Sequence, residues 1–240
     1  SIMLQQMIGA IQNTWGVVAN GLLNDLSAYY WMDSNANDSK WSNNATANNI
    51  TWDTSDKVLW TASGIYNGSS SYIDSITWLP YWSANTVSFW MKTSQTSKAH
   101  IFADQNAWSY NYNNLELNVT ASSWKLRWFL ATSVSNRVRQ ETTSWWFATW
   151  SWVHVVLVNN WNTQSIYKDW ISVPLTAGID DWAFSWFTWT DLNIWRRNNP
   201  SDYFDWLIDD FVIHSRALTV DDISNLYNSG AWLPYSLFTS

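Results

Sequence analysis

Thr86-Val87-Ser88-Phe89-Trp90-Met91-Lys92 places Val87, Phe89 and Met91 on one parity and Ser88, Trp90 and Lys92 on the other. Successive strand side chains point to opposite faces, so this period of two predicts a β-strand with the first set in the core and the second away from it. The stretch 152–159 repeats the pattern, with Val153, Val155 and Leu157 facing the core and His154 on the other side. Further strands are expected at 28–32, 65–67, 71–74, 100–103, 115–119, 125–131, 164–168, 191–194 and 207–214. Many short strands with turn signals between them predict an all-β, two-sheet antiparallel sandwich, and 240 residues suit one such domain.

One helix is expected near the C-terminus. Thr219 is its N-cap, Asp222 three residues on completes a capping box, and Leu218 with Ile223 forms the hydrophobic staple. Ile223, Leu226 and Tyr227 share one face, and Gly230 closes the helix. Residues 1–21 carry Leu4, Met7, Ile8 and Ile11 at helical spacing, interrupted by Gly9, Asn13 and Gly16, and read as a lead segment. Asn and Ser crowd 33–49, a loop; the domain is expected to span 22–230, with a tail at 231–240.

Lys+Arg 12 against Asp+Glu 19 gives a net charge of -7, which offers no footprint for phosphate backbones or anionic lipid heads. Nucleic acid and membrane insertion are therefore not expected partners. No apolar run approaches the roughly 18 residues of a spanning helix, and the absence of cysteine excludes disulfides and thiolate metal sites. The chain begins at Ser1 rather than Met, so residues are expected to have been removed upstream; separately, the lead segment is expected to join the domain to something upstream, as part of a larger chain or assembly.

Composition holds one anomaly. Glycine at its usual level of about 7% would supply roughly 17 residues, whereas the chain has Gly 7 and Trp 23. Trp follows a turn-forming residue in Asn160-Trp161, Asp169-Trp170, Asp181-Trp182, Asp205-Trp206 and Ser123-Trp124, the slots of Asn-Gly, Asp-Gly and Ser-Gly turns. Such turns want φ > 0, which glycine adopts freely and a bulky aromatic does not. The expectation is a gene in which UGA means glycine, translated with a table reading UGA as tryptophan. The alternative is a chain rich in Trp for stacking on sugars.

Several stretches together carry a family resemblance. They are Leu26-Ser27-Ala28-Tyr29-Tyr30 with Asp33 and Asp38-Ser39; Tyr66-Asn67-Gly68-Ser69-Ser70-Ser71-Tyr72-Ile73-Asp74; Val87 to Lys92; Trp152-Val153-His154-Val155-Val156; and Tyr203-Phe204-Asp205-Trp206-Leu207-Ile208-Asp209-Asp210-Phe211-Val212-Ile213 with Arg216-Ala217-Leu218. From about Leu22 to Gly230 the chain resembles the laminin G-like jelly roll of the concanavalin A-like lectin/glucanase superfamily. The family has glycine at the equivalents of Trp60, Trp170, Trp195 and Trp206, and tryptophan at those of Trp90 and Trp152. Trp31, Trp128, Trp145 and Trp146 have no assignment on this pattern.

The resemblance implies one concave and one convex sheet, with glycans on the concave face or its loop rim. Glucanases of the superfamily use two glutamates at i and i+4 on one strand. Here the only glutamates, Glu116 and Glu141, lie 25 positions apart, so no catalysis is expected. His100, His154 and His214 form no zinc spacing, and neither a phosphate loop nor a serine nucleophile elbow is present. The resemblance also implies a structural calcium on Asp209, with Asp33 or Asp38 and a carbonyl near Gly68 as partners; otherwise these aspartates serve as turns and caps. For glycan binding the candidates are Trp90, Lys92 and His154 on the non-core faces of their strands, and Tyr110, Tyr112, Arg196, Arg197, Asp202 and Tyr203 in rim loops. Trp90 and His154 also admit a purely structural reading, packed beneath a loop.

The resulting expectation is a non-catalytic carbohydrate-binding or adhesion module of a secreted, cell-surface or phage-virion protein. A decoration domain without its own ligand is the alternative, and a divergent glycoside hydrolase the third. Gly230-Ala231-Trp232-Leu233-Pro234-Tyr235 resembles endings of virion and surface jelly-roll proteins.

Overall fold

The computed structural model describes Leu22 and residues 25–59, 61–77, 79–81, 84–95, 98–105, 112–120, 123–133, 136–143, 150–161, 163–181, 187–189, 192–194 and 203–227. The lead segment 1–21, Gly230 and the tail lie outside these residues. In chain order the first strands are β1 (Leu26–Tyr30), β2 (Thr46–Asn48), β3 (Thr51–Asp53), β4 (Ser63–Asn67), β5 (Tyr72–Ile76), β6 (Leu79–Tyr81), β7 (Ala84–Lys92), β8 (Ala99–Gln105) and β9 (Tyr112–Thr120). They are followed by β10 (Ser123–Ser133), β11 (Asn136–Thr142), β12 (Val153–Asn160), β13 (Thr163–Lys168), β14 (Ile171–Val173), β15 (Leu175–Asp181), β16 (Phe187–Trp189), β17 (Leu192–Ile194), β18 (Asp205–His214) and the helix α1 (Val220–Tyr227).

Two eight-stranded sheets and a small β16-β6 pair make up the fold. Sheet A runs β14-β13-β12-β7-β18-β4-β3, with β1 also on β18; sheet B runs β15-β11-β10-β9-β8-β17-β5-β2. Every strand pairing is antiparallel. Val87, Phe89, Met91, Val153, Val155 and Leu157 are all buried in one cluster between the sheets, as their alternation predicts. Leu126, Trp128 and Leu130 of β10 close that cluster from sheet B. Among the described residues no helix is long and apolar enough to cross a membrane.

The last strand breaks its own alternation. Asp209 pairs with Trp90 and Val212 with Ser88, so two residues, Asp210 and Phe211, lie between successive partners on β7. This bulge, with Asp210 at φ 47, puts Ile208, Phe211 and Ile213 together in the core while both aspartates leave it.

α1 packs on the opposite side of sheet A, where Ile223 and Leu226 join Leu26, Tyr29, Trp90, Val156, Val158 and Val212 in a second buried cluster. The capping box forms as expected: Asp222 N donates to Thr219 Oγ1 at 3.2 Å and Thr219 N to Asp222 Oδ2 at 2.8 Å. Arg216 ties the helix to β1 by donating to Asp25 at 2.6 Å and to Asp222 at 2.7 Å. Because α1 covers this side, β7 and β12 are buried on both faces. Ser88 and Trp90, on the side away from the sandwich core, are therefore buried as well.

Candidate functional site

His154 sits directly across from Trp90 in the β12-β7 ladder, so the two expected binding residues do converge. Their rings stack with centroids 5.0 Å apart, and Tyr227 of α1 stacks on Trp90 at 5.8 Å and on His154 at 6.1 Å. Trp90 is 3% exposed and His154 is fully buried, so neither ring presents a face to a sugar. A stack roofed by a helix is core packing, so of the two readings the sequence left open for Trp90 and His154 their burial matches the structural one, with a helix in place of the loop. Lys92 pairs with Asp56 at 2.5 Å, and Asp56 also accepts from the Trp152 indole at 2.8 Å, so this lysine anchors the loop after β3. Tyr203 is half-buried, and its carbonyl accepts from Gln95. The Tyr112 backbone pairs with Ala131 and Gln105. Tyr110, Arg196, Arg197 and Asp202 lie outside the described residues.

The proposed calcium set is not assembled. Asp38 uses Oδ1 to accept from the amides of Tyr29 and Lys40 and Oδ2 to accept from that of Trp41, which leaves it a loop clamp. Gly68, at φ 68, lies against the Asp205 side chain. Asp205 is four residues from Asp209 along β18, roughly 13 Å at the strand rise. Only Asp33 and Asp209 come near one another, and the sequence reading passed over the third carboxylate beside them, Asp210. Asp209 Oδ2 accepts from Val58 and Leu59, Asp33 Oδ1 from Thr61 and Ala62, and Asp210 Oδ1 from the Tyr29 hydroxyl at 2.5 Å. Asp209 Oδ1 and Asp210 Oδ2 are buried without a hydrogen-bond partner. Burial, then the charge of Asp33, pushes Asp209 up to about 7, and burial with Asp209 alongside raises Asp210 well above the carboxylate range. Among the described residues no three His, Cys, Asp or Glu side chains converge to hold an ion. Of the expected calcium ligands, Asp33 and Asp209 lie together, and Asp38 is taken up by its own loop.

Asp38→Ala tests that distinction. Stranding three amides should cost roughly 1–3 kcal/mol, and melting should show the same loss in calcium and in chelator; a loss confined to calcium would make Asp38 a ligand.

The outer side of sheet B is built differently. Leu126, Trp128 and Leu130 point inward, so Lys125, Arg127 and Phe129 lie on the other face of β10. The ladder sets Arg127 across from Glu141 of β11 on one side and Glu116 of β9 on the other, and sets Phe129 across from Arg139 and Asn114. The two glutamates that seemed unrelated in sequence therefore occupy one row, their backbones two strands or roughly 10 Å apart. Glu141 accepts two hydrogen bonds from Arg127, at 2.9 and 3.1 Å, and its other oxygen pairs with Lys125 at 3.2 Å. Burial pushes its pKa up, but Arg127 and Lys125 outweigh that and hold it below the usual carboxylate value. Sequence reasoning weighed Glu141 only for catalysis and missed Arg127, Phe129 and Arg139; β11 (Asn-Arg-Val-Arg-Gln-Glu-Thr) has a single apolar residue and shows no amphipathic signal that would pair it with β10. The available clue was alternation in β10, where Lys125, Arg127 and Phe129 share a parity.

A family model described as the concanavalin A-like lectin/glucanases superfamily, laminin G type, matches residues 67–224. The chain belongs to this superfamily. No curated protein matches the sequence. The laminin G-like domain is similar in fold to the botulinum neurotoxin serotype D binding domain, with TM-score 0.67 and 17% identity over 88% of this chain and 52% of that one. The serotype D ligand binding domain in complex with N-acetylneuraminic acid gives TM-score 0.66 and 18% identity over the same shares. Domain 4 of AbnA, an extracellular arabinanase of Geobacillus stearothermophilus solved with arabinotriose, gives TM-score 0.63 and 16% identity over 83% of this chain and 97% of that one. The laminin G-like domain thus spans about half of the toxin chains and nearly all of the arabinanase domain. These neighbours are binding domains.

Proposed function

We propose that the domain is a non-catalytic carbohydrate-binding or adhesion module of a secreted, cell-surface or virion protein, its saccharide lying across the outer face of sheet B. The observation that carries this reading is the β10-β11 surface, where a half-buried Phe129 ring is set among Arg127, Arg139 and Glu141. An apolar ring beside a guanidinium held in place by an ionised acceptor is the kind of surface a pyranose or furanose uses. Glu141, held ionised by two cations, accepts hydrogen bonds but is a poor proton donor, which favours binding over hydrolysis. Neighbours solved with N-acetylneuraminic acid and arabinotriose support the ligand class.

A glycan array followed by calorimetry on the best hit tests the proposal. Arg127→Ala and Phe129→Ala should each weaken binding on the order of tenfold, about 1.4 kcal/mol, while both variants stay folded. Full affinity in both variants would move the site elsewhere. Silence across the array would favour a decoration domain without a ligand, and turnover of a β-glucan would favour a hydrolase built on Glu116 and Glu141.

A further inference from the structure

The tryptophans of this chain fall into two physical classes. Trp90, Trp128 and Trp152 keep ordinary backbone angles and have partners: Trp90 in its stack, Trp128 fully buried between the sheets, Trp152 bonded to Asp56. Trp161, Trp170 and Trp206 have φ of 55°, 65° and 120°. They make up three of the eight non-glycine residues with positive φ among those described, and Asn and Asp account for three more. Asn and Asp visit this region because their short polar groups bond locally; a bulky side chain there is a genuine outlier.

Each position has its own reason to want glycine. Asp169 and Trp170, at φ 49° and 65°, are the two central residues between the paired Lys168 and Ile171, a two-residue hairpin in which both residues need φ > 0. Trp161 opens the two-residue connection between the paired Asn160 and Thr163. Trp206 lies inside β18 opposite Tyr66 rather than on the turn its sequence suggests, and its φ of 120° is outside even the left-handed helical region. At the two turns little packing offsets this, since Trp161 is 64% exposed and Trp170 44%; Trp206 meets Trp150, itself 68% exposed, edge-on.

We infer that the native polypeptide carries glycine at 161, 170 and 206, encoded by UGA codons that its source reads as glycine. The same substitution moves the counts of Gly 7 and Trp 23 toward an ordinary composition. It also removes the exposed indoles at 161 and 170 from any sugar-stacking role.

Peptide masses across the three positions, measured on protein from its natural source, decide the matter: glycine at all three is expected, and tryptophan at them overturns the inference. A second measurement needs only recombinant protein. Relief of left-handed strain at the three sites should raise the Tm of the Trp161→Gly/Trp170→Gly/Trp206→Gly variant by on the order of 10 °C. Trp90→Gly and Trp128→Gly should melt well below the parent. A triple variant that melts at or below the parent temperature would mean that the indoles belong there.

Discussion

Phe211→Ala is expected to destabilise the domain by about 3–5 kcal/mol, the range for emptying a buried phenylalanine site. Phe211 stacks on Phe89 of the same sheet, with centroids 5.8 Å apart, and meets Phe102 of sheet B edge-on at 6.1 Å. It is therefore the contact through which the β18 bulge is locked to both sheets, and a cavity there cannot close without moving two ladders. In a domain of this size the loss corresponds to a Tm lower by roughly 10 °C. Phe211→Leu, which keeps most of the volume, should lose much less, and Trp41→Ala, at a 68% exposed site, should change stability by under about 0.5 kcal/mol. Equal melting temperatures for Phe211→Ala and Trp41→Ala would contradict the core described here.

Acid should unfold the domain through its buried imidazoles. Burial depresses His154 to about 3, and burial with Arg216 nearby depresses His214 to about 3 despite the opposing charge of Asp222. A histidine whose folded pKa lies below its unfolded value near 6.5 contributes stability that is whole above 6.5 and lost as pH falls toward 3. At pH 4 each is expected to have lost roughly 3 kcal/mol, and the pair a large part of a typical domain stability. Asp209, raised to about 7, works in the opposite direction, so the informative quantity is a difference between proteins. Denaturant titrations at pH 7 and pH 4 should show that His214→Gln loses less stability than the parent over that interval. Parallel losses would mean that His214, which faces Thr86 across the β18-β7 ladder and Leu26 across β1, is protonated in the fold.

Features that depend on near neighbours were legible in the sequence. Alternation over 86–92 and 152–159 gave the core faces of β7 and β12, Thr219 with Asp222 gave the helix start, and Asp169-Trp170 gave a turn demanding positive φ. Each follows from sterics, hydrogen bonds or periodicity within a few residues, so the local chain encodes it. The candidate site was less legible. For Trp90 and His154 the sequence left binding and structural readings open, because α1, some 70 residues downstream of His154, forms the roof over them. Asp38 carries a ligand's chemistry, yet its lone pairs go to three amides that only the folded loop brings within reach. The Glu116-Arg127-Glu141 row exists because β10 lies between β9 and β11 in one register. Register is decided by the summed burial of Leu126, Trp128, Leu130 and their partners across both sheets, since a slip of one residue would turn every one of them toward solvent. The sequence by itself therefore determined the core faces of β7 and β12, the start of the helix and the turn at 169–170, all set by near neighbours; only the packed sandwich decided the bulge in β18, which faces stay open and which charges meet on them.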